Sequence, residues 1–240
     1  MSVNVLGIMQ PYFFPYLGYF DLINCSDRWI VFDTVQYIRH GWVNRNRIHH
    51  PKQGDLYILV PLKKQARETA IKDILIADDP DWKGKILGQF NHYKKTAPYF
   101  KETYAFLEDC LSIQEPSLSR LNTAILQKTC ARLGIPFRFE VFSEMNLPLG
   151  NVDGPGDWAL RISEALQAKE YVNPPGGVSL FDSEKFQAAS IKLTIRHIAA
   201  FEYPTRGYEF IPDLSVLTVM AFNTPEQIKA FLDQQRPAPN

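Results

Sequence analysis

The chain has 240 residues, room for one large domain or two small ones, and its 26 basic and 26 acidic residues cancel. That balance argues against a bulk field drawing it onto nucleic acid or a membrane, and no apolar run approaches the ~18–20 residues needed to cross a bilayer. Cys25, Cys110 and Cys130 lack C-x-x-C spacing, and the opening Met-Ser-Val-Asn-Val has neither the basic nor the apolar region of a leader, so a cytoplasmic protein without disulfides is expected.

Residues 3–9 form an apolar run with the length of a buried strand. Residues 10–20 follow as Gln-Pro-Tyr-Phe-Phe-Pro-Tyr-Leu-Gly-Tyr-Phe. Pro11 and Pro15 cannot continue a ladder or a helix interior, so the chain must leave the sheet as a stiffened aromatic loop. From Gly18 the pattern suits a helix, and strand–loop–helix is how α/β proteins hold a ligand at the carboxyl end of a strand. Residues 28–33 read as a second strand ending in Asp33. Segments 36–39 and 42–48 read as extended, with a turn at His40-Gly41. Further strands are expected at 57–61 and 71–76.

The period then changes. Residues 81–94, 98–112 and 117–133 look helical, with Ser117 as an N-cap, and 137–142 alternates like a strand. Residues 143–156 concentrate Gly, Pro and Asn and form a candidate linker between portions 1–142 and 157–240, unless the whole folds as one compact domain. Helices are expected at 157–168, 182–189, 214–223 and 225–234, with short strands at 171–172 and 192–197. The fold class is therefore α/β, with a Rossmann-like N-terminal portion, an antiparallel excursion within it, and a helical, mixed C-terminal portion.

Three constellations carry chemistry. Between Asp33 and Asp55 there is no acid, yet this span holds Arg39, Arg45, Arg47, Lys52 and three histidines. In an extended Asn44-Arg45-Asn46-Arg47 the guanidiniums share one face and the amides the other. Planar guanidiniums match phosphate or carboxylate bidentately, although a solvated edge strand guarding against aggregation would look the same. In the opening loop, Gln10 offers an amide and Tyr12, Tyr16 and Tyr19 offer hydroxyls to a ligand, the alternative being plain core aromatics around a turn. Gly18 would let a ligand approach the helix start. Gly176 and Gly177, after the strand at 171–172, form either a backbone anion nest or an ordinary loop. No histidine pair has metal-ligand spacing and no nucleophile motif is present, so neither a metal nor another cofactor is expected.

These residues closely resemble the WbqC-like protein family. Gln10 to Phe20 match its Q-P-x-[YF]-[FL]-P-[YW]-x-G-Y-[FL] opening; Asp33, Gln36 and Tyr37 match a D-x-x-Q-[YF] element. His40-Gly41-Trp42 and residues 44–48 match its basic-Gly-Trp-x-N-R-N-x-I block. Pro98 to Phe100, the Pro-Gly-Gly loop and residues 214–217 also correspond, while Thr218 stands where the family pattern commonly has an acid. The resemblance implies a place in the assembly of bacterial O-antigens and related surface glycans, with transfer of an acyl or aminoacyl group to an amino sugar. On that expectation Arg39, Arg45 and Arg47 bind phosphates, Tyr12, Tyr16, Tyr19 and Trp42 stack on sugar or base, and Tyr37 joins the substrate-binding set. Gln10, Gln36, Asn44, Asn46, Gly176 and Gly177 complete the binding set, and Asp33 or His40 takes a proton. The expected partners are a nucleotide-sugar substrate and a thioester donor or carrier protein, with neither nucleic acid nor membrane insertion. A non-catalytic sugar-nucleotide or glycan-binding module is the alternative.

Overall fold

The computed structural model describes residues 3–236 and has the expected α/β architecture. Five parallel strands form one sheet in the order β5-β2-β1-β6-β7: β1 (Val5–Met9), β2 (Arg28–Val31), β5 (Phe139–Val141), β6 (Glu170–Asn173) and β7 (Lys192–Ile195). β1 lies at the centre, with Leu6 to Met9 opposite Arg28 to Val31 on one side and Val5 to Gly7 opposite Glu170 to Val172 on the other. The strands are short apolar runs because both faces are covered. Leu6, Ile8, Ile30 and Tyr171 pack against α5 (Asp157–Ala165) and α6 (Ser183–Ala188). Trp29, Val31 and Val172 face the other way, into the larger core with α1 (Leu17–Cys25) and α4 (Leu118–Leu133). Gly7 lies under the Trp29 indole, where a Cβ would come within 2.4 Å of the ring.

The antiparallel excursion is the hairpin β3 (Arg45–His49) and β4 (Asp55–Leu59), registered from Arg45 opposite Leu59 to His49 opposite Asp55. The expected early strand at 36–39 contributes only a single bridge, from Gln36 to Ala70. The expected strand at 71–76 is overturned as well: Ile71–Asp73 is a one-turn 3-10 helix. Ile71 and Ile74 are both fully buried, and that spacing of three is one 3-10 turn, whereas a strand would place them on opposite faces.

The remaining helices are α2 (Trp82–Phe90), α3 (Phe100–Leu111), α7 (Val216–Phe222) and α8 (Pro225–Gln234). Their ends follow local chemistry. Ser117 accepts the Arg120 N–H to start α4, Gly134 ends it at φ +67°, and Thr224 with Gln227 forms a capping box for α8. Among the described residues no helix is long and apolar enough to cross a membrane.

Candidate functional site

β1 delivers the chain into a loop that cannot bond to itself. Pro11 and Pro15 have no N–H, and Phe14 is held at φ +40°, a region disfavoured for a bulky side chain. Its polar groups are satisfied from outside. Tyr19 Oη donates to the Gln10 carbonyl at 2.8 Å, and Asn122 Nδ2, from α4, donates to the Pro11 carbonyl at 2.9 Å. Asn46 Nδ2 donates to the carbonyls of Phe13 (3.1 Å) and Phe14 (2.9 Å), and Ser215 Oγ to Phe14 as well (2.9 Å). The Val216 N–H bonds the Pro15 carbonyl, and the Phe13 N–H bonds the Trp42 carbonyl. Phe13 and Phe14 plunge into the core, which leaves Tyr12 and Tyr16 at the edge of a cavity.

That cavity, about 300 Å³, is lined by Tyr12, Pro15, Tyr16, Trp42, Asn46, Arg47 and Asp213. β3 supplies its basic side by alternation. Asn46 turns inward, 3% exposed, with its amide given to the loop, while Arg47 turns to the cavity. The Arg47 guanidinium lies 5.6 Å from the centre of the Trp42 ring and 3.7 Å from the Asp55 carboxylate. Its Nε is buried and has no hydrogen-bond partner among the described residues. Burial, followed by the negative charge of Asp213, pushes the Tyr16 phenol up to about 12; burial raises Tyr12 as well. Both hydroxyls therefore stay protonated near neutrality and can donate. Chemically, the cavity offers a guanidinium, aromatic faces, phenolic donors and one carboxylate.

The structure distributes the remaining candidate positions elsewhere. Asn44 and Tyr37 are buried framework: Tyr37 Oη donates to Asn44 Oδ1 at 2.8 Å, and Asn44 Nδ2 donates to the Val60 carbonyl. Arg45 lies outside the cavity lining, 4.2 Å over the Tyr57 ring, and donates to the His40 carbonyl at 2.5 Å. Gln36, Arg39 and His40 are exposed nearby, with Gln36 bonded to the Arg67 carbonyl. Tyr19 is wholly buried against Trp29. Asp33, 2% exposed, accepts from the Ser143 N–H (3.1 Å) and Oγ (2.8 Å) and from Ser119 Oγ (3.4 Å), so it ties the exits of β2 and β5 to α4.

Gln10 follows β1 at the carboxyl edge of the sheet, where Gly176 and Gly177 lie in the 3-10 segment Pro175–Leu180 after β6. A Cβ on Gly177 would sit 2.3 Å from Asn173 Nδ2, so side-chain packing requires that glycine. At Gly18 the close neighbour is the Tyr16 ring, 2.4 Å from where a Cβ would be. The Tyr16 ring thus covers the Cβ side of Gly18, while Leu17 and Gly18 also border a recess at the start of α1.

A separate buried cluster closes the far end of β3. The Tyr93 hydroxyl accepts the His49 backbone N–H at 2.9 Å and lies 3.1 Å from both His49 Nδ1 and Thr218 Oγ1. His49 Nε2 lies 3.1 Å from the Glu209 carbonyl and its ring stacks on Tyr208. Burial lowers the His49 imidazole to about 4, so it is neutral at physiological pH. Position 218 thus belongs to this cluster and does not line the cavity.

Two important residues escaped sequence reasoning, Asn122 and Asp213, while Ser215 stood within the matched element 214–217 with no role assigned. Asn122 left a faint signal as an amide among Leu118, Leu121, Ile125 and Leu126 on the buried side of α4. Asp213, at φ +56° after Pro212, left none.

The profile of the WbqC-like protein family matches residues 10–230. The "Uncharacterized protein Rv1507c" of Mycobacterium tuberculosis is 30% identical over 230 residues, covering 95% of this chain and 96% of that protein. No solved structure matches the chain.

Proposed function

This chain belongs to the WbqC-like protein family, and on that premise we propose that it transfers an acyl or aminoacyl group to a nucleotide-linked amino sugar in bacterial surface-polysaccharide assembly of the O-antigen type. The observation that carries the proposal is the meeting of Arg47 with Tyr12, Tyr16 and Trp42 around one cavity. A guanidinium beside aromatic faces suits a phosphorylated sugar: the fork binds phosphate oxygens and the rings pack on the sugar or base. Tyr16, kept protonated, donates to an oxygen of the ligand, and in transfer it stabilises the charge that develops on the attacked carbonyl. Without a covalent intermediate on the protein, the rate would come from holding amine and acyl carbon together and from that stabilisation.

One observation favours the second reading, a binding module without chemistry. The free cysteines lie outside the cavity lining, and burial pushes the Cys25 and Cys110 thiols up to about 11 and 12, away from the reactive thiolate. Incubation of the purified protein with UDP- and dTDP-amino sugars plus acyl thioesters, read by mass spectrometry, separates the two. A product heavier by the acyl group supports transfer. Tight binding with no turnover across the panel supports the module, and absence of binding sinks both.

A further inference from the structure

Asp213 lines a second recess as well as the first cavity, and the second has no basic side chain in its lining. The second, about 200 Å³, is walled chiefly by Leu17, Ile198, Phe201, Phe210, Ile211 and Val219. Its outer wall is the irregular segment 196–214, anchored at one end by Arg196, whose guanidinium grips the buried Asp21 carboxylate of α1 through Nε (2.5 Å) and Nη2 (2.9 Å). At the other end the Ser215 N–H bonds the Arg47 carbonyl at 2.8 Å. The recess is therefore held to the same strand that carries Arg47. Asp213 makes no hydrogen bond or ion pair with another described residue. The solvent-exposed Asp213 stands where the two chambers adjoin, so its carboxylate is within reach of a group that enters both.

Resting on the proposed transfer to an amino sugar, we infer that the apolar recess is the acyl chamber of the same site and that Asp213 is the base between the chambers. The sugar nucleotide occupies the Arg47 side with its amine at Asp213, and the hydrocarbon part of an acyl thioester enters the recess. The amine lone pair attacks the thioester carbonyl, a C–N bond forms and the C–S bond breaks. The proton lost by nitrogen passes to the Asp213 carboxylate and on to the departing thiolate sulfur, so amide and thiol leave with the carboxylate restored.

Calorimetric titration of the full chain tests this with a UDP-amino sugar and its N-acetyl, N-butyryl and N-hexanoyl derivatives. Affinity should rise about three- to fourfold for each methylene buried. Ala200→Trp, a substitution at an exposed position lining the recess, should abolish that gain. Affinity independent of chain length, or a gain that survives in Ala200→Trp, overturns the acyl chamber while leaving the sugar-nucleotide proposal standing. Failure of the unacylated sugar nucleotide to bind overturns both. Asp213→Asn should lower kcat at least about 100-fold with KM for the sugar nucleotide within about threefold, as general-base removal does; an unchanged kcat overturns the assignment of the base.

Discussion

The opening loop and the β3–β4 hairpin form facing walls of one cavity, yet they are built in opposite ways. The hairpin carries its own ladder, from Arg45 opposite Leu59 to His49 opposite Asp55, and takes outside bonds at the Arg47 carbonyl from Ser215 and at the His49 N–H from Tyr93. The loop has two prolines, a left-handed Phe14 and no ladder, and it borrows its hydrogen bonds from Asn46, Asn122, Tyr19 and Ser215. The difference teaches where each wall is vulnerable. The hairpin's half-exposed arginines can change with little effect on shape, whereas the loop's shape is decided by residues outside it, Asn46 of the hairpin among them.

The largest effect should come from Asn46→Ala, which strips the donor from two buried loop carbonyls. Leaving such groups unsatisfied costs about 1–3 kcal/mol each, partly relieved at Phe14 by Ser215, so unfolding in urea should show a loss of about 2–4 kcal/mol. A loss below about 1 kcal/mol would mean that the loop holds itself. Next, Arg47→Ala should leave stability within about 1 kcal/mol, because its ion pair to Asp55 is long and partly exposed. The same change should weaken sugar-nucleotide binding about 10- to 100-fold, the worth of a charge-assisted bond, by calorimetry.

The buried end of the hairpin should show itself through pH. His49 is lowered to about 4 in the fold from an ordinary 6.5, so the unfolded chain takes the proton first. Its contribution is complete above about 6.5 and is lost as pH falls towards 4; in His49→Phe the urea midpoint should fall less steeply over that window. His92, also lowered by burial, adds to the slope in both proteins. The smallest effect belongs to Arg45→Ala, which loses a surface contact with Tyr57 worth about 0.5–1 kcal/mol. Its sugar-nucleotide affinity should stay within about twofold, and a larger drop would extend the site along the hairpin to Arg45 and Tyr57.

Much of this was legible from residue spacing. Alternation alone places Asn44 and Asn46 opposite Arg45 and Arg47, and the buried amides and solvent-side guanidiniums follow it. What alternation cannot show is that Arg47 meets the cavity while Arg45, two residues earlier on the same face, lies over Tyr57. Asp33 looked like an acid waiting at a strand exit; two serines, 86 and 110 residues away in sequence, engage it instead. Polar residues advertise that they need partners without saying which partners the fold will bring.

The sequence by itself determined the α/β layout, the departure of the chain from β1 as a stiff aromatic loop, the N-cap of α4, and the family. Those features depend on local stereochemistry and on periodic burial, which a linear pattern records. Tertiary structure alone decided that Asn122 and Ser215 hold the loop and that Asp213 stands between two chambers. Each is a meeting of segments up to 201 residues apart. Such meetings are settled by how the helices and the 196–214 segment pack on the sheet, and no local pattern encodes them.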